Sequence, residues 1–170
     1  DYRAGERTFQ LLTQAAGRAG RGDKPGEVVI QTYQPEHYSI VHAANQDYIG
    51  FYEEEIAYRD LMRYPPIEHM LAVLVISRVQ EDGMALSGEM TNIVNRWRVN
   101  HADAGRKLQI IGPTEASVGR INDWYRHILY MKHEDYQALV AIKDELELYC
   151  KDKELKNQSV QYDFDPVHTY

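Results

Sequence analysis

Apolar residues recur at Phe9, Leu12, Ala16 and Ala19, and these spacings of three and four predict an amphipathic helix over residues 6–19. On a helical wheel Arg7, Gln14, Arg18 and Arg21 fall within about 60° of one another on the side away from that stripe. Gly20 and Gly22 stop the helix and leave Arg21 at its end. Pro25-Gly26 reads as a turn, and the β-branched residues 27–33 as a short buried strand. Helix, turn and strand together make a piece of an α/β sheet whose other strands are not in the sequence. Pro35 opens a second helical stretch, with one or two helices expected over residues 38–62. The acidic run Glu53-Glu54-Glu55 reads as a solvated helical face. Pro65-Pro66 breaks any helix and marks a domain boundary.

Beyond it the pattern changes character. Residues 70–77 are continuously apolar, as in a central strand, and residues 85–99 place Leu86, Met90, Ile93, Val94 and Trp97 on one helical face. Residues 108–111 form a short strand ended by Gly112-Pro113, and residues 124–131 an aromatic-rich one. Residues 136–150 put Leu139, Ile142, Leu146 and Tyr149 on a helical stripe, and residues 159–164 alternate as a half-buried strand. The order β-α-β-β-α-β is the ferredoxin-like arrangement, two helices on one face of an antiparallel sheet. Trp97 and Trp124 are expected in its core.

Composition narrows the function. A chain of 170 residues has room for one domain, or one domain and a fragment of another. The opening Asp1-Tyr2-Arg3 reads as the interior of a longer gene product. No apolar run approaches the roughly 18 residues of a membrane span, no signal peptide opens the chain, and a cytoplasmic location is expected. The lone Cys150 and seven scattered histidines give no metal-ligand spacing, so no metal site is expected. A net charge of −7 argues against a general nucleic-acid coat. The charge is uneven, however: residues 1–34 carry five Lys/Arg against four Asp/Glu, and residues 35–64 two against six. An anion-binding face belongs in the first segment.

That segment holds Gln14-Ala15-Ala16-Gly17-Arg18-Ala19-Gly20-Arg21. A guanidinium is planar, permanently charged and able to grip two phosphate oxygens, and a glycine beside it lets a ligand approach the backbone. A glycine-capped helix end with arginines against its dipole explains part of the octapeptide but leaves Arg7 and Gln14 on the same face without a role. An Arg-Gly nucleic-acid tail would need a repetitive, disordered context, and a strand follows instead.

Gln-x-x-Gly-Arg-x-Gly-Arg resembles motif VI of superfamily 2 helicases. The wider string narrows the likeness: Glu6-Arg7-Thr8-Phe9, Gln31-Thr32-Tyr33, Pro35-Glu36-His37-Tyr38, Asp47-Tyr48, Phe51-Tyr52, Glu55, Arg59, Tyr64-Pro65-Pro66, Gly112-Pro113, Lys132 and Asp165-Pro166. Together these resemble the C-terminal part of the PriA family of replication restart helicases, also called primosomal protein N′. The resemblance implies an α/β (α+β) chain with the end of a RecA-like helicase lobe over residues 1–34, a helical linker over 35–66 and a ferredoxin-like C-terminal domain over 67–170. It implies ATP and Mg²⁺ in a site completed by residues outside this sequence, with Zn²⁺ expected only in the remainder of the full-length protein. Gln14, Gly17, Arg18 and Arg21 would face ATP, Arg18 and Arg21 serving as arginine fingers, with Arg7 either joining them or forming a salt bridge. Forked and single-stranded DNA, single-stranded DNA-binding protein, and primosome and helicase-loader proteins are the implied partners. Arg120, Arg126 and Lys132 are candidates to meet an acidic protein tail, against the alternative that the C-terminal domain only packs the lobes. A stand-alone ferredoxin-like module that binds protein or RNA, and a RecG-like enzyme, are the other readings.

Overall fold

The computed structural model describes residues 1–19, 27–168 and 170. They form two units, Asp1–Met62 and Arg63–Tyr170.

The first unit is helical: α1 (Ala4–Ala19), α2 (Tyr38–Ala44) and α3 (Tyr48–Met62). The stripe read from the sequence is the packed face of α1, where Phe9 stacks on Phe51 of α3 with ring centroids 4.1 Å apart and planes within 7°. Ala43, Leu12 and Tyr38 close around the pair. Helix α2 begins at His37, whose ring nitrogen accepts the Ser39 amide at 3.3 Å. Two expectations change. Residues 27–33 are not a strand: Val29 and Tyr33 are 84% and 105% exposed. A β-branched run becomes a strand only when another strand pairs its backbone, and the described residues of this unit supply none. In the acidic run Glu53 and Glu54 are exposed but Glu55 is buried. The helix end at residues 20–22, Arg21 and the Pro25-Gly26 turn lie outside the described residues.

The second unit runs β1 (His69–Ser77), α4 (Gln80–Asn100), α5 (Ala102–Lys107), β2 (Gln109–Ile121), β3 (Trp124–His133), α6 (Tyr136–Lys153) and β4 (Gln158–Phe164). The sheet order is β2-β3-β1-β4 and every pairing is antiparallel. This is the ferredoxin-like α+β arrangement, with one addition, the short α5. Alternation along β1 splits the core. Leu71, Val73 and Val75 meet Leu86, Met90, Val94 and Trp97 of α4 and Leu139, Ile142 and Leu146 of α6, all buried. Ala72 and Leu74 turn to the other face, with Ile128 of β3 and Ala116 of β2. A strand buried on both faces needs apolar residues without a break, which is why residues 70–76 are continuously apolar. Helix α6 starts at Asp135, whose carboxylate accepts the Gln137 amide at 2.9 Å.

Two further expectations change in this unit. The strand expected to stop at Gly112-Pro113 continues to Ile121 through a register shift between Ile111 and Thr114. Strand β2 lies at the sheet edge, where proline's missing N–H leaves no gap in a ladder and a bulge absorbs the extra residues. Trp97 is 4% exposed and stacks on His101, as a core residue should. Trp124 is only half-buried, with the Arg78 guanidinium carbon 4.1 Å from its ring centroid. Among the described residues no helix is long and apolar enough to cross a membrane.

Candidate functional site

The arginine face of α1 is built by the helix that Phe9 anchors. With Phe9 buried, Gln14, Gly17 and Arg18 emerge into solvent near the other end of α1. Among the described residues Arg18 enters no ion pair, and a Cβ built on Gly17 would meet nothing within 4 Å. An unneutralised guanidinium beside open space and an exposed amide is a donor set that fits a phosphate group. Arg7 is engaged otherwise: its Nη1 donates to Asp1 Oδ2 at 2.7 Å, the salt-bridge alternative. Arg21 lies outside the described residues.

At the opposite end of α1 a set of charged residues is partly buried. Arg59 on α3, with 11% of its side chain exposed, donates to Glu55 of its own helix and to Glu6 of α1. Arg3 also donates to Glu6, and Tyr38 to Glu55. The Glu6 carboxyl is held below its usual range, first by the Arg3 hydrogen bond, against an opposing cost of burial, and then by Arg59. Burial, then the Glu55 hydrogen bond, push the Tyr38 hydroxyl up. Sequence reasoning missed this cluster. The signal was the spacing Glu55-x-x-x-Arg59, one helical turn, which an exposed helix would also show.

The three basic candidates of the second unit do not form one patch. On β3, Arg126 pairs across from Ile76 and Lys132 from Met70, so both point to the sheet face away from α4 and α6. Arg120 sits opposite Tyr125, holds Asp123 at 2.5 Å and lies over the Tyr125 ring. Lys132 is 4% exposed, with its ammonium 4.4 Å from the Tyr64 ring centroid, and burial lowers its pKa against the pull of Glu68. That burial takes Lys132 out of reach of an acidic tail. Arg126 donates to the Val118 carbonyl at 2.9 Å beside an open cavity of about 440 Å³ lined by Leu74, Ile76, Trp124 and Tyr170.

Among the described residues no group of three or more His, Cys, Asp or Glu is placed to hold a metal ion. Cys150 is half-buried, its thiol pushed up in pKa by that burial against the opposing contact with the Tyr162 hydroxyl at 3.8 Å.

The model of the primosomal protein N C-terminal domain matches residues 60–167. The chain belongs to this family. Its relatives extend the likeness across the arginine helix. It is 38% identical to the replication restart protein PriA of Bacillus subtilis over 170 residues, 98% of this chain and 20% of that protein. The Thermotoga maritima protein of the same name is 37% identical over 82% of this chain and 17% of its own length. That of Chlamydia trachomatis is 31% identical over 100% of this chain and 22% of its own. The chain thus spans about a fifth of the length of these relatives. Among solved structures, the de novo designed protein Foldit4 overlaps 59% of this chain and 99% of itself at a TM-score of 0.43 and 13% identity, a likeness too slight to argue from.

Proposed function

We propose that this chain is the C-terminal part of an ATP-dependent 3′-to-5′ DNA helicase that restarts stalled replication forks by initiating primosome assembly. ATP and its Mg²⁺ would then be held by a lobe outside the chain, which would supply the phosphate cradle and the acidic residues for the metal ion. Arg18 and Arg21 close on the γ-phosphate when the lobes approach, with Gln14 orienting water or phosphate, and stabilise charge as it moves onto the leaving group. An arginine in this role is worth roughly 10³–10⁵-fold in turnover where the reaction depends on it. Release of the arginines after hydrolysis couples lobe opening to movement along single-stranded DNA. Forked DNA is the substrate, and single-stranded DNA-binding protein and helicase-loader proteins are the partners of the whole molecule.

The observation that carries this reading is the Arg18 guanidinium, exposed and, among the described residues, without an ion-pair partner, whereas Arg3 just before the helix and Arg7 on it are both paired with carboxylates. Family membership and relatives named as replication restart proteins support the same assignment. In the full-length protein, Arg18→Ala and Arg21→Ala are each expected to lower DNA-stimulated ATP hydrolysis by roughly 10³-fold or more and to leave nucleotide binding largely intact. Wild-type turnover in both variants would remove the arginine-finger assignment. Deleting residues 1–34 with the chain still folded and its partner binding unchanged would favour a stand-alone binding module.

A further inference from the structure

The contacts between α1 and α3 are more directional than holding helices together demands. Arg59 donates from Nε to Glu55 Oε1 at 2.7 Å and from Nη2 to Glu6 Oε2 at 2.8 Å, one fork joining two helices. The remaining oxygens are also taken. Arg3 Nη2 donates to Glu6 Oε1 at 3.0 Å, and the Tyr38 hydroxyl to Glu55 Oε2 at 2.7 Å. All three helices of the unit therefore contribute to one saturated network. Even the backbone makes room for it: a Cβ on Gly5 would lie 2.4 Å from the Tyr38 hydroxyl and 3.0 Å from Glu55 Oε2.

Apolar contact alone does not require such an arrangement. Burial of Phe9 against Phe51 holds α1 to α3 but is non-directional, so a smooth stacked pair tolerates rolling and sliding. A partly buried ion network adds little net stability after desolvation, but its bonds fix angle and register. Arg18 lies twelve residues beyond Glu6, about 18 Å along the same helix. With a side chain reaching about 6 Å from the helix axis, a 20° roll would move its tip by about 2 Å. A misplacement of about 1 Å can cost roughly 10²-fold in turnover.

We infer that Arg59 is a positioning residue for the arginine face: through Glu6 it sets the roll and axial position of α1, and so aims Arg18. This rests on the reading of Arg18 as a phosphate contact. Arg59 touches no nucleotide in this scheme and acts only through the helix it holds.

The test uses the full-length protein with Arg59→Lys, Arg59→Met, Arg18→Ala and the double variant Arg59→Met/Arg18→Ala. A lysine keeps the buried charge and fold but cannot fork to both carboxylates. Both Arg59 variants are expected to lose roughly 10²-fold in kcat of DNA-stimulated hydrolysis, with the KM for ATP within about threefold of wild type. The double variant should be slower than Arg18→Ala by much less than the roughly 10²-fold that Arg59→Met costs alone, because the share of that loss that comes from misaiming Arg18 disappears once Arg18 is gone. Wild-type kcat in Arg59→Lys, or losses that multiply in the double variant, overturns the positioning role while Arg18→Ala still marks the phosphate contact. Wild-type kcat in Arg18→Ala instead overturns the phosphate reading, and the positioning role with it.

Discussion

His127 sits on β3 with 4% of its surface exposed and, among the described residues, neither ring nitrogen hydrogen-bonded. It faces a cavity of about 150 Å³ lined by Met84, Ser87, Pro113, Thr114 and Glu115. Burial holds its pKa below the ordinary value of 6.5, and the Glu115 carboxylate opposes that shift only in part. The unfolded chain therefore takes up a proton near pH 6.5 that the folded chain refuses until lower pH. Stability from this residue is complete above 6.5 and is lost as the pH falls toward the lower, folded pKa, at no more than about 1.4 kcal/mol per pH unit for one proton. Urea midpoints of the 170-residue chain are expected to fall between pH 7 and about pH 5.5, and His127→Leu should flatten that fall. An unchanged slope in the variant would show that other groups bind the protons. Side-chain direction on the same strand was legible beforehand. Arg126 and Lys132 are separated by an even number of residues and share a face. What no spacing reveals is that Tyr64 covers Lys132, because that contact comes from outside the strand.

At the scale of elements, the edge strand β2 carries a sharper conformational demand than its neighbours. Gly112 has φ +97°, and a Cβ there would lie 2.9 Å from the Ile128 carbonyl oxygen and 3.2 Å from the Thr114 amide. Gly112→Ala would meet both an unfavourable backbone region and a backbone clash, for an expected loss of about 2–4 kcal/mol in unfolding free energy by urea titration. A loss below about 0.5 kcal/mol would mean that the bulge relaxes without strain. The same dipeptide explains why β2 runs past the end its sequence predicts. Gly-Pro ends most strands, but at a sheet edge a bulge lets the pairing resume beyond it, and edge position is a property of topology rather than of local sequence. Strand β1 and helices α4 and α6 were legible because their apolar periods match the face each one buries. Residues 27–33 carry the same β signal without a partner ladder, and α5 is too short to show a period. Glu55 departs from a solvated face for a related reason. Sequence period places it on the helix, but only the fold shows that Arg59 and Tyr38 surround it.

For the whole molecule, the question is how much of a nucleotide site the chain can supply alone. An exposed arginine meeting a phosphate in water is worth about 0–1 kcal/mol, whereas a dissociation constant of even about 1 mM requires roughly 4 kcal/mol. The net charge of −7 further repels a polyphosphate. The 170-residue chain is therefore expected to show no saturable ATP binding in a calorimetric titration up to millimolar nucleotide, and no hydrolysis above a blank. Saturable binding at tens of micromolar with turnover would mean that the site is complete within these residues, and would replace the two-lobe reading. Weak binding by the arginine face is what that reading needs. An arginine that gripped the ground state tightly would stabilise bound ATP as much as the transition state and would add nothing to kcat. On the proposed two-lobe reading, a face that is weak in isolation and aimed by a partly buried network would become effective only when the opposing lobe presents the phosphate, so its whole contribution would fall on the step where charge moves.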